Sequence, residues 1–212
     1  MYQQNSNHTE KILEKESAQK IFEAARDEFA RYGLEGSRVD RIASRAGVNK
    51  AMLYYHFRSK ENLYLEVIRE HLTHIGAFLE QVVIESDSIE DALRKIATFY
   101  QRVFDQRQSF IPIFLRELAS GGERLRSAFT SEIMQRGLSQ RLRNLIEKGK
   151  STGQIGNRDS THAIISFLGM NIFYYIASPI LNSVWEIKDE QEFREKRAKE
   201  VVDLFLYGLV SR

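Results

Sequence analysis

Proline is almost absent from this chain, with two residues in 212. Apolar residues instead recur at spacings of three and four nearly everywhere, so the sequence can build little other than packed helices. No segment alternates apolar and polar residues as a half-buried strand does. The expected fold class is all-α, with about nine helices.

Helix signals then divide the chain. Residues 1–16, MYQQNSNHTEKILEKE, are polar and are expected to form a flexible arm; they lack the apolar core of a signal peptide. Ile21, Phe22, Ala25 and Phe29 stripe a helix from about Ser17 to Tyr32, ended by Gly33. Ser37-Arg-Val-Asp40 has the spacing of a capping box and opens a short second helix that stops near Gly47. Asn49 caps a third helix and Ser59 a fourth. In the fourth, Leu65, Ile68, Leu72, Ile75, Leu79 and Val82 make one continuous apolar stripe, so this helix itself is expected to join a small N-terminal unit to a larger one. Asp87-Ser-Ile-Glu90 caps a fifth helix, 110–118 is short and very apolar, and Gly121-Gly122 interrupts. The STGQIGNRDS stretch reads as a loop, and two last helices are expected at about Ser160 to Ala177 and Glu190 to Val210.

Composition narrows the function classes. With 42% hydrophobic and 28% charged residues the chain is globular, and with no cysteine it has neither disulfide staples nor thiolate zinc sites. No run approaches the roughly 18 to 20 apolar residues of a membrane span, so a cytoplasmic protein without membrane contact is expected. The net charge of +2 names no partner, but it is unevenly placed: residues 1–60 hold 11 of the 31 Lys and Arg and 8 of the 29 Asp and Glu. Between Ser37 and Lys60 the basic residues are Arg38, Arg41, Arg45, Lys50, Arg58 and Lys60, against Asp40 alone. Such a cluster is an electrostatic footprint for a polyanion, although a charge run is more often only a solvated face.

The spacing inside the cluster favours the polyanion. Ala46-Gly47-Val48 is too short a connection for anything but a steep crossing of two helices, as in a helix-turn-helix, whose second helix enters a DNA major groove. Ala46, Val48, Ile42 and Leu53 are expected to fill the core under the turn. Asn49, Lys50, Ala51, Tyr54 and Tyr55 remain exposed, with His56 at the end. Lys50 suits phosphate or a guanine edge, Asn49 and Tyr54 suit phosphates or bases, and Ala51 allows close approach to thymine methyls. His56, Lys60 and the helix N-terminus at Ser59 suit a flanking phosphate, as do Ser37, Arg38 and Arg41 on the second helix. Phe57 is expected to pack, and Tyr55 is undecided between packing and DNA.

The run G-V-N-K-A-M-L-Y-Y-H-F-R-S-K-E-N-L also resembles the recognition helix and following turn of the tetracycline-repressor (TetR) family, whose motif reads approximately A-G-V-S-x-G-x-L-Y-x-(H/Y)-F-x-(S/T)-K-E-x-L. S-R-V-D-R-I-A-S-R-A-G is similar to that family's second helix. The resemblance covers about Ser17 to Leu65. Asn49, Ala51 and Met52 depart from the usual residues, and Met52 removes a hydroxyl that would touch phosphate. The resemblance implies a homodimeric, all-helical transcription regulator that releases or alters DNA binding when a small effector enters its C-terminal domain; the leading expectation is a repressor that binds a near-palindromic operator as a dimer. It divides the chain into a 1–16 arm, a 17–62 DNA-binding domain and a 63–212 ligand-binding and dimerisation domain.

Beyond the motif only the residues themselves can be read. The last two helices are apolar on more than one face, through Ile164, Ile165, Phe167, Leu168, Met170, Ile172, Phe173, Tyr175 and Ile176, then Val201, Val202, Leu204, Phe205, Leu206 and Leu209. Burying both sides calls for a twofold mate and a four-helix interface. Phe78, Phe99, Phe104, Phe110, Phe114, Phe129, Phe167, Met170, Phe173 and Tyr174 could wall an apolar cavity, with Arg102, Arg116 or Asn171 orienting an effector, lipophilic or aromatic in character. His71, His74 and His162 lack the further ligands that would make a metal site, so neither metal nor cofactor is expected. No G-x-S-x-G, P-loop, dinucleotide fingerprint or H-E-x-x-H is present, which disfavours an enzyme. The alternatives are a helical small-molecule carrier or enzyme, and a ligand-independent DNA binder.

Overall fold

The computed structural model describes residues 2–106, 109–134 and 137–208, with side chains described from Glu14 onward, Gln106 apart. Among the described residues the fold is all-α: α1 Tyr2–Gly36, α2 Val39–Ala46, α3 Lys50–Phe57, α4 Lys60–Glu85, α5 Ile89–Gln106, α6 Phe110–Ala119, α7 Glu123–Phe129, a π-helical turn Thr130–Met134, α8 Leu138–Ser151, α9 Ser160–Val184 and α10 Glu190–Tyr207. The chain forms two compact units, Met1–Thr73 with Ser109–Glu132, and His74–Gln108 with Ile133–Arg212.

The first unit is larger than the segment 17–62. It takes in the start of α4 and all of α6 and α7. Its centre is built by Ile21, Ala25, Phe29, Ile42, Leu53, Leu63, Val67, Ile68 and Ile113, all fully buried. Tyr64 is edge-on to Phe29 and donates to Glu117 Oε1 at 3.0 Å. Burial pushes the Tyr64 hydroxyl well above its ordinary pKa, the hydrogen bond to Glu117 adding to the rise. Arg116 on α6 reaches across to α1, donating through Nη1 to Phe29 O at 3.2 Å and Ala30 O at 2.5 Å, and through Nη2 to Arg31 O at 2.9 Å. A cationic fork thus meets the carbonyl-rich end of a helical segment, where both orphan acceptors and macrodipole favour it.

Two expected boundaries move and one holds. Helix is continuous from Tyr2, so the arm expected over 1–16 is helical from its second residue; the stretch before Tyr32 has no glycine or proline and is rich in Gln, Glu and Lys, which suit a helix. Gly33, at φ 67° and ψ −177°, is non-helical and ends the long helical segment of α1 as expected, with a kink before residues 34–36. The capping box at Ser37 is not made: Ser37 is buried and its hydroxyl donates to Leu34 O at 2.7 Å, leaving Arg38 as the N-cap without a side-chain bond.

In the second unit Leu79, Val82, Leu93, Ile96, Leu138, Ile146, Phe167, Val201 and Val202 make the core. Ser88, not Asp87, caps α5, accepting from Asp91 N at 3.1 Å. Asp159 and Asp189 cap α9 and α10, accepting from His162 N and Glu192 N. The ninth helix runs past the expected Ala177 to Val184 through Pro179. Proline has no N–H to give Tyr175 O, and Ser178 Oγ supplies a bond there at 3.2 Å instead. Leu209 and Val210, expected in the last helix, lie outside the described residues. Contrary to the sequence expectation, α9 is long and apolar enough to cross a membrane by length and composition alone; a core helix of a soluble protein meets the same description.

Unfolding measurements check both units. A Cβ at Gly33 would sit 3.2 Å from Arg116 Cδ on a backbone with positive φ, so Gly33→Ala should lower unfolding free energy by about 1–3 kcal/mol in urea titrations. In the second unit, burial pushes the Tyr100 hydroxyl from 10 up to about 12. A group whose folded pKa is raised contributes stability below its unfolded pKa that is lost as pH rises through the folded value. The urea midpoint should therefore drop as pH rises from 10 to about 12, and less steeply in Tyr100→Phe.

Candidate nucleic-acid interface

The interface begins with the turn. Gly47 adopts φ 68° and ψ 30°, and Val48 N donates to Ala43 O at 3.0 Å, closing α2 and turning the chain. Asn49 is extended and accepts from Met52 N at 2.9 Å, so α3 starts at once. Beneath the turn Ile42, Ala43, Ala46 and Leu53 are buried, with Val48 half-buried. That apolar wedge leaves Asn49, Lys50, Ala51, Tyr54 and Tyr55 exposed, as the spacing predicts.

Each charged or polar candidate has its own surroundings. Lys50 Nζ pairs with Asp40 Oδ1 at 2.5 Å, and that hydrogen bond raises the Lys50 ammonium above its ordinary pKa. Tyr54 is 47% exposed, while Tyr55, at 66%, donates its hydroxyl to Glu14 Oε1 at 2.9 Å. This bond raises the Tyr55 pKa and ties the undecided tyrosine to α1. His56 is half-buried, its Nε2 lying 2.7 Å from Ser17 Oγ. Arg58 follows α3 at φ 66°, and Ser59 Oγ accepts from Asn62 N at 3.1 Å to start α4. Between them His56, Phe57, Arg58, Asn62, Leu65, Glu66 and Arg69 line an open groove of about 400 Å³.

Two of the candidates are committed to the scaffold. Ser37 is buried with its hydroxyl spent on Leu34 O, so it does not face solvent. Arg41 is held by Glu28, with Nε at 2.6 Å from Oε1, and donates through Nη2 to Gly36 O at 2.8 Å. Its guanidinium also lies 4.4 Å from the centre of the Tyr32 ring. Arg38 keeps an exposed side chain while its backbone N–H donates to Glu28. Lys60 is half-buried and donates to Ser37 O at 3.3 Å. Motif reading missed Glu14, Ser17 and Asp40 as the residues that hold the reading side chains; nothing local in the sequence marks the first two.

The effector residues are dispersed. Phe114 and Arg116 belong to the first unit, where Arg116 is committed to the α1 carbonyls and so is not an effector ligand. In the second unit Phe78 and Phe99 stack with ring centroids 3.7 Å apart, and Phe104 stacks on Tyr175 at 4.6 Å. Phe167, Tyr174 and Asn171 are buried, Asn171 donating to Phe167 O at 2.8 Å; Met170 is half-buried and Arg102 exposed. Phe173 is 62% exposed and Phe129 37%, so neither walls an interior space. His71 is buried and stacks on Phe110 at 4.1 Å, whereas His74 and His162 are exposed.

This geometry has known relatives. Residues 21–67 match the family described as bacterial regulatory proteins, tetR family. The transcriptional repressor NicS of Pseudomonas putida is 26% identical over 197 residues, spanning 89% of this chain and 90% of that protein. The TetR family transcriptional regulator PfmR of Thermus thermophilus is 25% identical, with a TM-score of 0.69 over 90% of this chain and 99% of that one. FadR of Bacillus subtilis, solved in complex with stearoyl-CoA, shares the fold at 19% identity and a TM-score of 0.69, over 91% of this chain and 100% of that one. Residues 21–67 are thus a segment of the tetR family of bacterial regulatory proteins, and the whole chain is similar to transcription regulators that carry such a segment.

Proposed function

We propose that this protein is a ligand-responsive transcription regulator that binds a near-palindromic operator as a homodimer and represses until an effector releases it. The observation that carries the reading is the α2–Gly47–α3 turn, which projects Lys50, Ala51 and Tyr54 from a short capped helix. Lys50 is paired only with an exposed carboxylate, an interaction worth little in water, so phosphate or a guanine edge can replace Asp40 at small cost. Asn49, Tyr55, His56 and Arg38 flank it, and Lys60 with the start of α4 offers an anion site. NicS, a named repressor, supports repression over activation.

A dimer supplies what α9 lacks. Ile165, Phe173, Ile180, Val184 and Trp185 are exposed, and Leu204 and Tyr207 on α10 are exposed too. Apolar surface on this scale is expected to be covered, and a twofold mate laying its own α9 and α10 against it would do so. The same coverage accounts for the apolar length of α9 without a membrane, in keeping with a cytoplasmic protein. Two recognition helices must then meet grooves about 34–36 Å apart, or a multiple of that, so a small change in their separation weakens binding. The effector site is read from the rings of Phe78, Phe99, Phe167 and Tyr174, whose stacks would part around a lipophilic or aromatic molecule. That Bacillus FadR holds stearoyl-CoA is in keeping with such an effector.

Lys50→Ala with Tyr54→Ala should weaken binding to a selected operator duplex by about 1.5 to 4 orders of magnitude, at about 1–3 kcal/mol for each base interaction removed, with unchanged thermal melting. The slope of log affinity against log salt should fall by about one if Lys50 meets phosphate. Equal binding by wild type and variant in mobility-shift assays would refute the assignment, and steep salt dependence without sequence preference would favour a ligand-independent DNA binder. Phe173→Asp with Ile180→Asp should give monomers in sedimentation at micromolar concentration; a variant that still sediments as a dimer places the interface elsewhere.

A further inference from the structure

Among the described residues of the first unit, Arg58 alone combines a side chain with a positive φ, at φ 66° and ψ −47°. Its own N–H donates to Tyr54 O at 2.8 Å, and Ser59 N donates to Phe57 O at 2.7 Å around it. A hydrogen bond between residues two apart, with these angles, makes a γ-turn of the rare and strained form. Glycine would occupy the position without cost, so an arginine there works against the backbone's preference. Strain of this kind collects where a side chain has a task.

The neighbours of Arg58 define that task. Ser17 Oγ gives its one hydrogen to Glu14 O at 2.9 Å, so His56 Nε2 is the donor of its 2.7 Å bond to that oxygen, and His56 lends one ring nitrogen to α1. Lys60 is half-buried and donates to Ser37 O at 3.3 Å. Arg58 stands between these two in the chain, is exposed, and has no side-chain partner among the described residues. It opens on the groove between α3 and α4, where Asn62 offers an amide and the carboxylate of Glu66 is already paired with Arg69 at 3.0 Å. The groove therefore keeps one uncompensated guanidinium, whose planar fork fits two oxygens of a phosphate.

We infer that Arg58 grips the DNA backbone at the exit of the recognition helix, its guanidinium on the phosphate that flanks each half-site and the Asn62 amide beside it. The inference rests on the DNA-binding reading and adds a contact to it. Fluorescence anisotropy of a labelled operator duplex, selected with the full-length protein and titrated at several salt concentrations, tests it. Arg58→Gly removes the charge and frees the turn, so it should keep the wild-type circular dichroism while binding about tenfold more weakly. The slope of log affinity against log salt should fall by about one for each subunit bound. Selected and scrambled duplexes should lose affinity alike, since a phosphate carries no sequence information. Arg58→Lys should recover the slope, and Arg58→Gln, which keeps the strained turn, should match Arg58→Gly. An Arg58→Gly protein with wild-type affinity and slope overturns the inference alone, if Lys50→Ala with Tyr54→Ala still loses affinity for the same duplex. A loss confined to the selected duplex overturns it too, since Arg58 would then read a base. If the Lys50 and Tyr54 double variant binds as wild type does, the DNA-binding reading falls and the inference with it.

Discussion

A buried carboxylate, Glu28, organises the reading end of this molecule. It is 5% exposed, yet accepts from the Arg38 backbone N–H at 3.1 Å and from Arg41 Nε at 2.6 Å. A charge so placed is tolerable only when its oxygens are filled, and here they are filled by the first residues of α2. That fixes where α2 starts against α1, and through the Gly47 turn it fixes α3. Arg41 is raised above its ordinary pKa chiefly by the hydrogen bond to Glu28, so it remains a cation whose work is structural.

The same end of α1 is held from α6 by the same kind of force. Arg116 brings three guanidinium bonds to the carbonyls of residues 29–31, and Gly33 leaves room for its side chain. Glu14 and Ser17 then reach Tyr55 and His56 from the same helix. Thus α1 is the frame on which the recognition helix is set, touched along its length by polar bonds between residues far apart in the chain. An exposed bond such as Tyr55 to Glu14 contributes little energy, but it restricts which way the Tyr55 ring can point.

The fold class, the sharp turn and the Asn49 cap were legible because each is a local matter. Glycine permits positive φ, Asn49 bonds three residues ahead, and apolar spacing of three and four marks a helix face. Boundaries were less legible wherever a second signal competed. The start of α1 is one case, because a polar stretch that reads as an arm also suits a helix. Ser37 looked like a cap and is a buried donor, its hydroxyl spent backwards on Leu34 O rather than forwards on the amides of α2. Pro179 did not end α9, because Ser178 supplies the bond that proline cannot.

Read residue by residue, the chain already declares that it is helical, where its short recognition helix begins, and which side chains that helix carries outward. Periodicity, caps and turn residues act over a few positions, so they are written where they act. Which polar groups stay free was settled by packing alone. It spent Ser37, Arg41 and Arg116 on the scaffold and gave Lys50 to Asp40. Those outcomes depend on burial and on partners as many as 87 residues away, and such distances have no signature in a local pattern of residues.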